Sequence, residues 1–174
     1  MSVLPNSETK TEYSIHPATG VGPVSLTVAN LENQILFYEK AMGFQLHWRK
    51  GKNAALGTGE RELLRFNEAP NLKKYRGVTG LYHFAVLFPN RRELAIAMAR
   101  LFALKVRNSP TDHVMTKTTY LDDPEGNGIE LYAESPEDGS WTLKDGKYET
   151  RWADGRWSDG RESLDVDALF KHLK

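Results

Sequence analysis

His83 and Glu130 are the two residues whose types and placement most directly suggest chemistry. His83 opens an apolar alternation in which Phe84, Val86 and Phe88 share one strand face, so residues 83, 85 and 87 point the other way. Glu130 lies between Ile129 and Leu131 in a second alternating run and likewise points away from the apolar row. One imidazole and one carboxylate can therefore face a common cavity from two strands. Such a pair suits a divalent iron, manganese or zinc ion, and a set of two histidines and one carboxylate leaves coordination positions open for substrate and oxygen. The segment 111–130, TDHVMTKTTYLDDPEGNGIE, adds His113, in a loop before a strand and either a solvent-exposed residue or an acid/base group, and Tyr120, which either reaches into the cavity as an acid or simply covers the sheet. Its turn is strong, because Pro124 presets φ and Gly126 accepts positive φ. A buried Glu130 requires a partner, whether metal, Arg65 or a histidine, since an unpaired buried charge is costly. Arg65 could equally bind a substrate carboxylate. His16, His47 and His172 have no companion at ligand spacing and read as surface residues.

The elements that must position these residues follow from an internal repeat. PVSLTVANLENQILFYEKAMGFQL from residue 23 aligns without a gap on HFAVLFPNRRELAIAMARLFALKV from residue 83, an offset of sixty. Each copy opens with a strand, turns at Asn30 or Asn90, and continues as a helix. Leu31, Ile35, Leu36, Tyr38 and Met42 form the apolar stripe of the first helix; Leu94, Ile96, Met98 and Leu101 form that of the second. Gly43 is the C-cap of the first, and Ala103 holds that place in the second. Strands are expected over 44–49, 53–56 and 62–67, then over 105–107, 116–121 and 128–133. The fold class is α+β: two βαβββ modules forming a curved mixed sheet with a concave cavity. Residues 1–20 read as a flexible arm, 21–68 as module one and 79–134 as module two, joined by NEAPNLKKYRGVTG over 67–80. Residues 135–174 form a Trp/Gly-rich arm of short extended pieces ending in a short amphipathic helix. Trp141, Trp152 and Trp157 predict that this arm packs on the body or on another subunit.

With 23 basic and 23 acidic residues, the chain has no electrostatic reason to bind nucleic acid or an anionic membrane. No run approaches the ~20 apolar residues of a spanning helix. The absence of cysteine excludes disulfides, Cys-ligated metal and a thiol nucleophile, and suits a reducing cytoplasm.

The repeat resembles the vicinal-oxygen-chelate superfamily, which includes glyoxalase I, bleomycin- and fosfomycin-resistance proteins and type I extradiol dioxygenases. His113, Tyr120, Asp123, Pro124, Gly126 and Glu130 match the extradiol ring-cleavage signature, with Thr119 in place of its aliphatic residue. With GVGPVSLTV, VTGLYHFAVLFP and DPEGNGIELYAE, residues 15–150 are most similar to the amino-terminal half of bacterial two-domain catechol 2,3-dioxygenases. The resemblance implies metal ligands at His83 and Glu130, with iron first and manganese or zinc as alternatives. It also implies ligand positions at Pro23, which has no ligating atom, and at Arg65, a cation. In the two-domain relatives the carboxy-terminal domain holds the iron. The resemblance therefore implies a catechol 2,3-dioxygenase-like protein with an incomplete ligand set. The alternatives are a glyoxalase- or resistance-type metalloprotein, or a half-dioxygenase domain that binds small ligands without catalysis or metal. A small aromatic or other small-molecule ligand and a homodimeric partner complete the expectation.

Overall fold

A computed structural model describes residues 14–73 and 79–174. Residues 1–13 of the N-terminal arm and 74–78 of the connecting segment lie outside the described residues; residues 14–20 are exposed.

The first unit runs β1 (Val24–Val28), α1 (Leu31–Phe37), β2 (Gln45–Lys50), β3 (Asn53–Thr58) and β4 (Arg61–Glu68). The second runs β5 (His83–Leu87), α2 (Arg91–Ala103), β6 (Asn108–Asp112), β7 (Thr116–Asp122) and β8 (Gly128–Glu134). Both helices start the same way: Asn30 accepts from the Asn33 amide at 2.9 Å, and Asn90 from the Glu93 amide at 3.0 Å. These caps satisfy amide donors that have no partner inside the helix. α1 widens into a π-helical turn over Tyr38–Met42 and stops at Gly43, whose φ of 73° is left-handed.

The first sheet has the order β1-β4-β3-β2 and the second β6-β7-β8-β5, extended beyond β6 by a short strand from the tail. Each closes on a parallel pair, β1 with β4 and β5 with β8, and is otherwise antiparallel. The fold is α+β with two βαβββ modules as expected, and hydrogen bonding divides the curved sheet between the modules, with β1 and β5 each at an edge. One apolar core joins them, drawing Leu31, Tyr38 and Phe66 from the first unit and Leu94, Met98, Ile129 and Leu131 from the second. Across the units, Glu125 in the β7–β8 turn accepts from the Ala29 and Asn30 amides at 2.8 and 2.9 Å. The Tyr38 hydroxyl donates to Asp123 at 3.3 Å.

Three details depart from the sequence reading. Leu36 and Ile96 are 45% and 38% exposed, because α1 buries Leu31, Gln34 and Ile35, and α2 buries Leu94, Ala95, Ala97, Met98 and Leu101. Position 96 lies about 200° around the helix from 94, on the solvent side. The strand expected at 105–107 begins instead at Asn108. Lys105 sits at a φ of 55°, and the Val106 amide donates back to Leu101, so this stretch still closes α2.

The third departure concerns the indoles of the tail. β9 (Gly139–Lys144), β10 (Lys147–Trp152) and β11 (Trp157–Ser158) form a separate antiparallel sheet. β12 (Glu162–Ser163) then joins the edge of β6, and α3 (Val166–Phe170) packs against α2, with Phe170 edge-on to Phe102 at 5.8 Å. Trp152 is partly covered, with Lys117 and Arg156 over its ring. Trp141 and Trp157 remain 52% and 63% exposed. The tail docks, but its indoles are not all what docks it.

Candidate functional site

β5 and β8 run parallel with His83 opposite Gly128 and Ala85 opposite Glu130; β7 places Tyr120 opposite Glu130. The burial alternation of β8 confirms the side-chain logic, since Ile129 and Leu131 are sealed in the core while Glu130 is on the other face. His113 stands in the tight turn between β6 and β7.

These four side chains form one hydrogen-bonded chain. His83 Nε2 lies 2.9 Å from Glu130 Oε2, and the Tyr120 hydroxyl donates to Glu130 Oε1 at 3.0 Å. His113 Nε2 is 2.9 Å from the same hydroxyl. His113 Nδ1 contacts the main-chain oxygen of Gly160, contributed by the tail. The Tyr120 ring meets both imidazoles edge-on, at 5.6 Å from His83 and 5.9 Å from His113. Burial raises the Tyr120 pKa to about 12, and the hydrogen bond and charge of Glu130 add to the effect. The phenol thus keeps its proton at neutral pH and serves as a donor to the carboxylate.

The internal repeat sharpens the comparison between the units. Ser25 pairs with Arg65 in β1–β4, and Ala85 pairs with Glu130 in β5–β8. Residues 25 and 85 are sixty apart, so Arg65 and Glu130 hold equivalent registers. Pro23 stands just before β1, where His83 stands in the second unit. Arg65 does not reach across to Glu130; it pairs with Glu62 at 2.6 Å, and Glu62 also accepts from the Trp48 indole at 2.7 Å. Those two hydrogen bonds, Trp48's first, hold the Glu62 carboxyl below its ordinary pKa.

A resident metal is poorly served by this donor set. His83 Nε2 and both Glu130 oxygens are occupied by neighbours, leaving His83 Nδ1 as a buried nitrogen without a partner. Among the described residues no group of three or more His, Asp or Glu could hold a metal ion. Catalytic metal sites normally take three protein ligands, and Pro23 and Arg65 offer none at the equivalent positions. The residues present therefore do not fit a tightly held metal.

Gly128 and Gly160 are site residues that sequence reasoning missed. In the sequence Gly160 simply follows Asp159 in the Trp/Gly-rich arm, with no local signal for a contact 47 residues away. A groove of about 350 Å³ opens beside His113, bounded by Trp141, Tyr148, Thr150, Asp159 and Gly160. Trp141 and Tyr148 meet edge-to-face there at 5.0 Å. Among the described residues no helix is long and apolar enough to cross a membrane.

Comparison with known proteins agrees with this architecture. A catechol-2,3-dioxygenase of Bacillus subtilis (strain 168) is 41% identical over 138 residues, covering 78% of this chain and 48% of that protein. The chain thus spans about half the length of that relative. A glyoxalase/dioxygenase from Nostoc punctiforme superposes with a TM-score of 0.59 at 19% identity, covering 70% of this chain and 97% of that one. Lactoylglutathione lyase from Agrobacterium tumefaciens superposes at 0.54 and 19% identity, covering 68% and 96%. At such identities the structural likeness speaks for the fold alone. The model of the glyoxalase/bleomycin resistance protein/dioxygenase superfamily matches residues 20–131, and the chain belongs to that superfamily.

Proposed function

We propose that this chain is a catechol-2,3-dioxygenase-like protein that binds a small aromatic diol at the His83–Glu130–Tyr120–His113 network. The observation that carries this reading is the network itself: a carboxylate, a phenol and two imidazoles linked at 2.9 to 3.0 Å beside a groove with aromatic walls. Trp141 and Tyr148 offer ring surfaces to a flat ligand. Each Glu130 oxygen has a second lone pair beyond the one its neighbour uses, so the carboxylate can still accept from a diol hydroxyl, and Tyr120 with His113 can take up or return its proton. The likeness to the Bacillus subtilis dioxygenase supports the diol as ligand.

Oxidative ring cleavage is the reaction class that this likeness suggests, and it calls for donors beyond His83 and Glu130. A second copy of the chain, as a homodimer, or another unit is the proposed source. A second reading, in which the chain binds the diol without transforming it, is favoured by Pro23 and Arg65 at the two equivalent positions. Calorimetric titration of catechol into the full chain, with and without ferrous iron, tests both. Binding that is lost in Glu130→Ala is expected. Ring-opened product formed only with iron and lost in His83→Ala would select cleavage over binding alone, and no catechol binding under either condition would overturn the proposal.

A further inference from the structure

We propose that the C-terminal tail is a working part of this site: the Gly160 carbonyl fixes His113 as its Nδ1–H tautomer and so makes Nε2 the nitrogen that exchanges a proton with Tyr120. The inference deepens the function proposed above and rests on it only for the use to which the proton is put.

A carbonyl oxygen can only accept, so the contact between His113 Nδ1 and the Gly160 oxygen places a proton on Nδ1. A neutral imidazole carries one N–H, which leaves a lone pair on Nε2, 2.9 Å from the Tyr120 oxygen. Tyr120 then has one rotatable hydroxyl proton and two acceptors, Nε2 on one side and Glu130 Oε1 at 3.0 Å on the other. The hydroxyl can turn either way, and the three groups form a route along which a proton passes between Glu130 and His113. With the other tautomer, Nε2–H would donate to Tyr120, the hydroxyl would face only Glu130, and that route would close.

Both halves of the contact are held. On the tail, Gly160 adopts a φ of 72°, and its amide donates to Ser158 Oγ at 3.0 Å. Two residues on, Glu162 and Ser163 pair with Asp112 and Thr111, the strand that leads directly into His113. On the body, the His113 amide donates to Thr116 O at 3.0 Å. Val114 is fully buried at a φ of 70°, a conformation that a β-branched residue avoids. Asp112 imposes it, accepting from the Val114 amide at 2.8 Å while Lys117 donates to the Val114 oxygen at 3.0 Å. Strain of this kind persists only where the surroundings over-determine it, and here it fixes the turn that carries His113.

The test is 15N NMR of the imidazole nitrogens in the full chain, at a pH where the ring is neutral. Nδ1 of His113 is expected to be protonated and Nε2 bare. Gly160→Ala strains the left-handed turn and brings a methyl 3.4 Å from Thr150 Oγ1; Ser158→Ala removes the acceptor of the Gly160 amide without that strain. Each is expected to shift His113 toward Nε2–H while the β7 and β8 amide signals stay in place. Should Gly160→Ala unfold the tail, Ser158→Ala decides. An Nε2–H ring in the native chain, or a tautomer indifferent to both substitutions, overturns the inference. Loss of catechol binding with the tautomer intact would strike the function proposed above and leave this one standing.

Discussion

Gly128 lies directly across the parallel β5–β8 ladder from His83, and there is no room at its α-carbon for a side chain. A methyl group there would come within 2.4 Å of the Tyr82 carbonyl oxygen and 3.0 Å of the His83 β-carbon. The backbone oxygen cannot swing aside as a flexible side-chain end could, so the strand start that carries His83 must yield. Gly128→Ala is expected to cost about 1–3 kcal/mol, the usual range for overpacking. It should also lengthen the His83–Glu130 contact. Urea denaturation together with the imidazole signals of His83 checks both, and an unchanged His83 environment would contradict the steric reading.

Glu125 ties the second unit to the entry of α1. Its carboxylate accepts from the Ala29 and Asn30 amides, beside Glu68, which accepts from the Leu31 amide at 3.0 Å. Charged acceptors at a helix start are favourable through both hydrogen bonding and the local dipole. Glu125→Ala should destabilise the chain by roughly 1–3 kcal/mol in chemical denaturation. Glu125→Gln should cost less, since an amide oxygen can still accept.

Lys117 is the hub of an ionic cluster between the second unit and the tail. Its side chain is 8% exposed and contacts Asp112 at 2.8 Å and Asp138 at 2.6 Å, while Arg91 reaches Asp138 at 2.7 Å. Lys117→Met leaves the buried Asp112 carboxylate without its cation, while Asp138 keeps Arg91, and should cost about 3–5 kcal/mol. Burial works against the Asp138 carboxylate, but hydrogen bonds from Arg91 and Lys117 outweigh it and hold its pKa below the ordinary value. A lowered pKa gives stability that is fully present above the unfolded value and lost as pH falls through the folded one. Stability should therefore decline below about pH 4, and the decline should be shallower in Lys117→Met. Denaturation midpoints across that range provide the check.

Tyr120→Phe removes the hydroxyl that joins His113 to Glu130. Its structural cost should be small, about 1 kcal/mol, with the larger effect on diol affinity. Because burial and Glu130 raise the Tyr120 pKa from 10.0 to about 12, the folded chain retains a proton that the unfolded chain releases. That contribution is fully present below pH 10 and is lost as pH rises from 10 toward 12. Native stability should fall across this window, and more gently in Tyr120→Phe. Equal slopes in the two proteins would contradict the assignment.

Much of this arrangement was legible from period and offset. The sixty-residue repeat placed Asn30 and Asn90 at the same turn, and both side chains cap helices. The alternation around Glu130 gave its face, and the register of each parallel pair makes Arg65 its counterpart. Other features depend on contacts that local pattern does not carry. Arg65 had Glu130 or a substrate as candidate partners, yet its partner is Glu62, three residues away on its own strand. The β6 boundary moved because Lys105 takes a left-handed conformation that non-glycine residues seldom adopt. Gly160 meets His113 only after the tail has folded back along β6, a matter of topology rather than composition.

The parallel pairs also bear on the order in which the chain assembles. Within each unit the last three strands form an antiparallel meander joined by short turns. The first strand must wait for a partner far along the chain: Val24 for Leu64, 40 residues later, and His83 for Gly128, 45 residues later. Closing such loops costs entropy before any contact repays it. The β6–β8 hairpins should therefore nucleate early, with β5 docking late against β8. In kinetic terms, substitutions such as Leu121→Ala should slow folding, whereas Val86→Ala should mainly speed unfolding, a difference that stopped-flow chevrons can measure. His83 would then be among the last residues of its unit to arrive, brought to Glu130 on a strand added after the carboxylate is in place.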